Sequence, residues 1–224
     1  MSDELAIKQP PFKVGSRLTG LAAKKAAAKA EDPNQPILVS EMKHRIGIVF
    51  DDSVSMGVEQ NQDAIAGTEE FLRSCVKDET AIAIQPLNRD GLRLNSNLPA
   101  VAIFVQSIRS SGGTPLIPRL KDILYDNPLT RAIVFSDGAP NNYTAQAYKQ
   151  VIDFGVAIDT VYIPSGYVDD RAESFMKKLA TDTDGIYLRF ERGKSNFRTA
   201  FKYLSPGLRH MLADKSFVAK LEGR

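Results

Sequence analysis

Three oxygen-bearing side chains follow an apolar segment at every second position: Asp51, Ser53 and Ser55, in the stretch IGIVFDDSVSM. The residues at 46–50 are all apolar or small, which is typical of a strand buried on both faces of a parallel sheet. In such sheets, ligands bind in the crevice beyond the carboxyl ends of the strands. A carboxylate and two hydroxyls supply only oxygen ligands. The segment therefore predicts a site for Mg²⁺, with Ca²⁺ or Mn²⁺ as alternatives.

Two later loops carry related chemistry. The first contains Gly112, Gly113 and Thr114, where two glycines allow the backbone to approach a site closely. The second contains Asp137 and Gly138 and follows the apolar run RAIVF. Taken alone, a threonine before proline is typical of a helix N-cap, and an aspartate at a strand tip is typical of a turn. If the strands are neighbours, however, all three loops converge at one end of the sheet.

The elements that would position these loops alternate between strands and helices. Apolar runs predict strands at 46–50, 81–87, 131–135, 156–163 and 186–190, and the turn signal Asp90-Gly91 predicts that 92–94 folds back as an antiparallel edge strand. Apolar residues at helical spacing predict helices between them; the helix at 61–77 would bury Ile65, Thr68, Phe71, Leu72, Cys75 and Val76. The pattern predicts a doubly wound α/β fold, with a mostly parallel central sheet and helices on both faces.

Both ends of the chain lie outside this alternation. Residues 1–43 are interrupted by prolines and contain an Ala/Lys-rich stretch that favours helix but has few large apolar residues to bury. We therefore predict an N-terminal arm at 1–43, a folded domain at 44–205 and a basic C-terminal tail at 206–224. The spread of basic residues in the tail is more typical of a solvated surface than of a phosphate-binding face.

Composition excludes several classes of function. The net charge is only +2, so nucleic-acid binding is not favoured. One cysteine and two histidines cannot form a Cys/His zinc cluster in a single chain, and a lone cysteine fits a reducing compartment. No apolar segment approaches the roughly 20 residues of a membrane span, and the first residues lack the apolar core of a signal peptide. We therefore expect a cytoplasmic protein that makes no membrane contact.

The sequence resembles the von Willebrand factor type A (vWA) domain with a metal-ion-dependent adhesion site (MIDAS). The family motif is Asp-x-Ser-x-Ser after the first strand, followed by a distant threonine and a distant aspartate. The matching residues, in the same order, are Asp51, Ser53, Ser55, Thr114 and Asp137. The phrases SSGGTPL and VFSDGAPN also resemble the family. One departure is Val54, where many members have glycine.

The resemblance implies a binding module rather than an enzyme. Ser53, Ser55 and, in some states, Thr114 would hold Mg²⁺ directly, whereas Asp51 and Asp137 would act mostly through water or hydrogen bonds. An open position on the ion would then accept an Asp or Glu carboxylate of a partner protein. Family members of this kind often work beside AAA+ ATPases or within large assemblies.

Two alternatives stay open at this point. The chain could be a structural assembly subunit that uses the fold without metal-dependent binding. It could also be a metal-dependent phosphohydrolase, because Asp51 to Ser55 superficially resembles the Asp-x-Asp phosphatase pattern. That pattern has a carboxylate where this chain has Ser53, so the acid of the reaction would be missing. Neither His44 nor His210 is placed in sequence as an obvious catalytic base.

Overall fold

The structure is a computed structural model, and it describes residues 39–141, 143–164, 170–190 and 201–221. Its six strands are β1 (His44–Phe50), β2 (Thr80–Pro86), β3 (Leu92–Asn95), β4 (Arg131–Ser136), β5 (Ala157–Tyr162) and β6 (Tyr187–Arg189). Its helices are α1 (Gly57–Cys75), α2 (Leu98–Gln106), α3 (Leu116–Asp126), α4 (Ala145–Ile152), α5 (Asp170–Asp182) and α6 (Lys215–Leu221). Short 3-10 helices lie at Val39–Glu41, Val54–Met56, Lys202–Leu204 and Arg209–Ala213. The predicted arm lies almost entirely outside the described residues.

The six strands form one sheet in the order β3-β2-β1-β4-β5-β6. β1 runs parallel to both β2 and β4, and β3 is the antiparallel edge strand that the Asp90-Gly91 turn predicts. Phe50 at the end of β1 is aligned with Pro86 of β2 and Phe135 of β4. The three central strands therefore end at the same level, which brings the loops that follow them to one end of the sheet. The predicted fold class is confirmed.

Helices cover both faces of this sheet. On one face, α1 and α2 pack with the segment after residue 201 on Ile46, Ile48 and Phe50. On the other face, α3, α4 and α5 pack around Val49 and Val134. Because successive strand residues point to opposite faces, the continuous apolar run of β1 serves both layers.

The C-terminal segment shares the core of the domain. Leu212 and Leu221 are 5% and 7% exposed and lie in the same apolar cluster as the residues of β1. The predicted boundary at residue 205 therefore coincides with no break in packing. Among the described helices, none combines the length and the apolar character needed to cross a bilayer.

α1 begins earlier and ends earlier than its sequence pattern predicts. It starts at Gly57 and ends at Cys75, which is fully buried; burial raises the pKa of this thiol to about 12, consistent with a core residue rather than a nucleophile. The prediction that Val76 lies on the buried face is wrong, because its side chain is 68% exposed. Val76 is the C-cap, where the chain leaves the face that Phe71 and Cys75 bury.

Candidate metal site

Asp51 lies at the tip of β1 and organises the loop that follows it. Its side chain is fully buried, and its Oδ1 accepts a hydrogen bond of 2.9 Å from the backbone N–H of Ser53. Its Oδ2 accepts from the hydroxyl of Ser136, the last residue of the neighbouring strand β4. Both oxygens of this carboxylate are therefore engaged by protein donors. These two hydrogen bonds fix the orientation of the Asp51 side chain beneath the loop.

The two serines and Asp137 form a continuous chain of oxygens. Ser53 Oγ lies 2.9 Å from Ser55 Oγ, which in turn donates to Asp137 Oδ1 at 3.0 Å. Adjacent ligands of an octahedral Mg²⁺, at about 2.1 Å from the ion, are separated by about 3.0 Å. The spacing of the two serine oxygens thus fits neighbouring corners of a magnesium octahedron, and Asp137 accepts a hydrogen bond from one of them, Ser55. Ser55 is exposed whereas Ser53 and Asp137 are buried, so the cluster opens to solvent at Ser55.

Thr114 belongs to the same cluster of loops. A Cβ built on Gly138 would lie 3.3 Å from Thr114 Oγ1, so the threonine hydroxyl abuts the residue after Asp137. The backbone N–H of Asn141 donates to the Thr114 carbonyl at 2.8 Å. Thr114 is not the N-cap of α3, because Pro115 occupies that position. The Thr114 hydroxyl makes no hydrogen bond to a described residue, which leaves its oxygen available to a ligand.

The structure therefore brings together all five residues that the sequence singles out. Their donor set is hydroxyls and carboxylates, with no sulfur or imidazole. In the described part of the chain, no group of three or more His, Cys, Asp or Glu side chains is placed to hold a metal ion. A metal here would depend on the serine and threonine hydroxyls, and such ligands suit a hard cation such as Mg²⁺.

Burial controls the electrostatics of the site. It raises the pKa of Asp51 to about 6, and the negative charge of Asp137 acts in the same direction. Hydrogen bonds from Ser136 and Ser53 oppose this rise without cancelling it. Burial also raises the pKa of Asp52. The loops thus concentrate negative charge that a bound cation would neutralise.

Sequence reasoning missed a second group of contacts, centred on Asp52 and Asn88. Asp52 Oδ1 accepts hydrogen bonds of 3.0 Å from both the backbone N–H and the side-chain amide of Asn88. The same amide donates to the carbonyl of Gly113 at 2.9 Å. Gly112 adopts φ +65°, and a Cβ there would lie 2.2 Å from Asn88 Oδ1. Asn88 therefore links the end of β2 to the loop that carries Thr114. No motif marks Asn88 in the sequence.

We expect Asn88→Ala to weaken Mg²⁺ binding although Asn88 is not a ligand. The change removes the amide that holds Gly113, so the neighbouring Thr114 loses its fixed position. The change also removes the donor to the charged Asp52 carboxylate. A hydrogen bond to a charged group contributes about 1.5–3 kcal/mol, which sets an upper limit of roughly 10- to 100-fold on the loss of Mg²⁺ affinity. Calorimetric titration with MgCl₂ measures the Mg²⁺ affinity of the variant and of the wild type. In a Thr114→Ala background the same change should have little further effect, since coupled residues are non-additive. Equal losses in both backgrounds would contradict this coupling.

The described histidines do not lie among these loops as a catalytic base would. His44 begins β1, and the seven-residue strand places it about 20 Å from the opposite end, where Asp51 follows. His210 lies in the 3-10 helix Arg209–Ala213, which packs with the C-terminal segment. The site offers hydroxyls and carboxylates for binding an ion, and none of its described loops contributes an imidazole.

Comparison with solved structures identifies the fold as that of vWA domains. An aerotolerance-related membrane protein from Bacteroides fragilis NCTC 9343 matches with a TM-score of 0.56 at 16% identity, over 76% of this chain and 98% of that one. The SpRpn10 VWA domain matches with a TM-score of 0.55 at 10% identity, over 73% of this chain and 95% of that one.

A third neighbour relates to the site. It is proximal thread matrix protein 1 from the mussel byssus, with a zinc-occupied MIDAS motif, at TM-score 0.53 and 17% identity. The match covers 80% of this chain and 48% of that one, so this chain spans about half of that protein. Neither family models nor curated proteins match the sequence. At these identities the likeness establishes the fold alone.

Proposed function

We propose that this chain is a metal-dependent protein-interaction module, in which Mg²⁺ binds an Asp or Glu carboxylate of a partner protein. Ser53, Ser55 and Thr114 would hold the ion, and Asp51 and Asp137 would orient these ligands and balance its charge. The bound ion would supply a Lewis-acidic position for an outside carboxylate. The partner would be an AAA+ ATPase or a component of a large assembly, and the setting would be cytoplasmic.

The observation that carries the proposal is the oxygen chain from Ser53 through Ser55 to Asp137, at 2.9 and 3.0 Å. The spacing of the two serine oxygens suits adjacent magnesium ligands, and the exposure of Ser55 gives a partner access. Asp51 stabilises this arrangement, because its two oxygens accept hydrogen bonds from the Ser53 N–H and the Ser136 hydroxyl. Few formal charges would then contact the ion directly, which keeps it receptive to a carboxylate.

The test is Mg²⁺ titration and partner capture with Ser53→Ala and Asp51→Ala, each with and without EDTA. We expect both variants to lose Mg²⁺ binding, and EDTA to abolish capture by the wild type. Ser111→Ala is the matched control, because Ser111 is exposed in a neighbouring loop and uses its backbone N–H, which donates to the Asp52 carbonyl. Full capture by both site variants in the presence of EDTA would remove the metal from the mechanism.

The alternative, a structural subunit that needs no metal, makes the opposite prediction. Association would then survive EDTA and both site substitutions. It would instead be lost on deletion of residues 1–36, the greater part of the predicted arm. Capture by the two site variants and by the deletion variant, each with and without EDTA, therefore distinguishes the two functions.

A further inference from the structure

The mouth of the candidate metal site is apolar on its α1 side. Val54 lies between the two serines and is 66% exposed, and Val58 follows one helical turn later at 70% exposed. Both are branched apolar side chains beside the exposed Ser55. The backbone N–H of Val54 donates to the carbonyl of Gly112 at 3.2 Å, so Val54 is held against the glycine loop. These two valines form what we call the valine rim.

The charges in the three loops are all of one sign. Residues 51–58, 110–115 and 136–141 contain Asp51, Asp52 and Asp137 and no lysine or arginine. The next charged residue on α1, Glu59, is also acidic. Arg109, directly before the second loop, donates to backbone carbonyls at the end of α2. A bound divalent cation is thus the one positive charge that the described parts of these loops could offer a carboxylate.

From this arrangement we infer that the site selects a single acidic residue flanked by apolar side chains, and discriminates against acidic tracts. The inference rests on the proposed function and specifies its partner. One carboxylate would meet the ion. A second or third would meet the remaining negative charge of three aspartates against one divalent cation, with no basic side chain in the loops to compensate. Apolar flanking residues would instead cover Val54 and Val58 and remove them from water.

The test uses three synthetic peptides with the full chain: acetyl-Leu-Asp-Leu-amide, acetyl-Ser-Asp-Ser-amide and acetyl-Glu-Asp-Glu-amide. Binding is measured by NMR titration in MgCl₂ and in EDTA. We expect the leucine-flanked peptide to bind about tenfold more tightly than the serine-flanked one, as burial of the two valines predicts, and the glutamate-flanked one to bind most weakly. All binding should require Mg²⁺.

Substitution within the valine rim tests whether these valines cause the preference for leucine-flanked peptides. Val58→Ser should reduce the preference for leucine flanks, whereas Val76→Ser should leave it unchanged. Val76 is the matched control, because it is 68% exposed at the other end of α1, about 27 Å away along the helix. Magnesium-dependent binding with equal affinities for the three peptides, or a preference unaffected by Val58→Ser, would overturn the inference and leave the proposed function standing. If no peptide binds in a magnesium-dependent manner, both are overturned.

Discussion

Replacing Asp51 by asparagine should make the metal-free protein more stable at pH 8 and abolish its stabilisation by Mg²⁺. The pKa of Asp51 is raised from 3.8 to about 6 by burial. A carboxyl group with a raised folded-state pKa contributes most stability below its unfolded pKa, and that stability is lost as the pH rises through about 6. In the metal-free protein, ionised Asp51 is therefore a cost at pH 8, on the order of 2–3 kcal/mol.

Asparagine removes this cost while retaining the local hydrogen bonds. Its amide oxygen can still accept from the Ser53 N–H, and its amide nitrogen can donate to the hydroxyl of Ser136. At pH 8 without metal, the melting temperature should rise by about 4–12 °C, at roughly 2–4 °C per kcal/mol for a domain of this size. The difference should shrink towards pH 5, where Asp51 of the wild type becomes protonated.

Magnesium should remove most of this difference in stability between the variant and the wild type. A ligand that binds only the folded state stabilises it by about 2.7 kcal/mol at a concentration 100-fold above its dissociation constant. The wild type should gain this increment, and Asp51→Asn should not, since it lacks the buried negative charge. Thermal denaturation at pH 5 and pH 8, with MgCl₂ or EDTA, measures both effects.

The control is Asp153→Asn, at an exposed carboxylate beyond the end of α4. It should change neither the pH profile nor the response to magnesium. A metal-free Asp51→Asn protein that is less stable than the wild type at pH 8 would show that the buried carboxylate is a net structural asset. An undiminished magnesium shift in the variant would show that Asp51 takes no part in binding the ion.

The sequence predicts this fold well because its strands are marked by contiguous apolar runs and its edge hairpin by Asp90-Gly91. It also predicts which loops meet, because parallel strands that end at the same level place Asp51 and Asp137 side by side. These signals are local in the sequence, and the pairing of the strands then brings the loops close together.

Contacts without a local signal could not be predicted in the same way. Asn88 bonds Asp52 across 36 residues and Gly113 across 25, and its neighbours in sequence look like an ordinary turn. The hydrogen bond between Ser136 and Asp51 is likewise set by strand pairing. The exposure of Val76 follows from where α1 ends, and helical periodicity does not define that position.

A buried ion-pair network is the clearest example of a contact that has no local signal in the sequence. Asp159 of β5 is fully buried, and Arg209 donates to its two oxygens at 2.7 and 3.0 Å. Arg131 of β4, only 8% exposed, places Nη1 3.1 Å from Asp159 Oδ2, within ion-pair distance but not aligned as a hydrogen bond. Arg131 also donates to the Leu204 carbonyl, so the network ties the C-terminal segment to the sheet.

Asp159→Asn should therefore destabilise the domain by about 3–5 kcal/mol, because it leaves the charge of Arg131 buried without its counter-ion. Burial already lowers the pKa of Arg131, and the attraction of Asp159 opposes that shift. Urea denaturation should give a lower midpoint with an unchanged m-value. Arg73→Ala is the control, because its ion pairs with Glu69 and Glu70 are exposed and should be worth less than about 1 kcal/mol.

Magnesium affinity provides the discriminating measurement for this variant. Asp159 is aligned with Ile133 of β4, four residues before Asp137, so it lies roughly 13 Å from the candidate metal site along the strand direction. Folded Asp159→Asn protein should therefore bind Mg²⁺ as the wild type does. A loss of affinity comparable to that of Ser53→Ala would mean that the C-terminal segment and the metal loops respond together. The network would then have a part in binding as well as in stability.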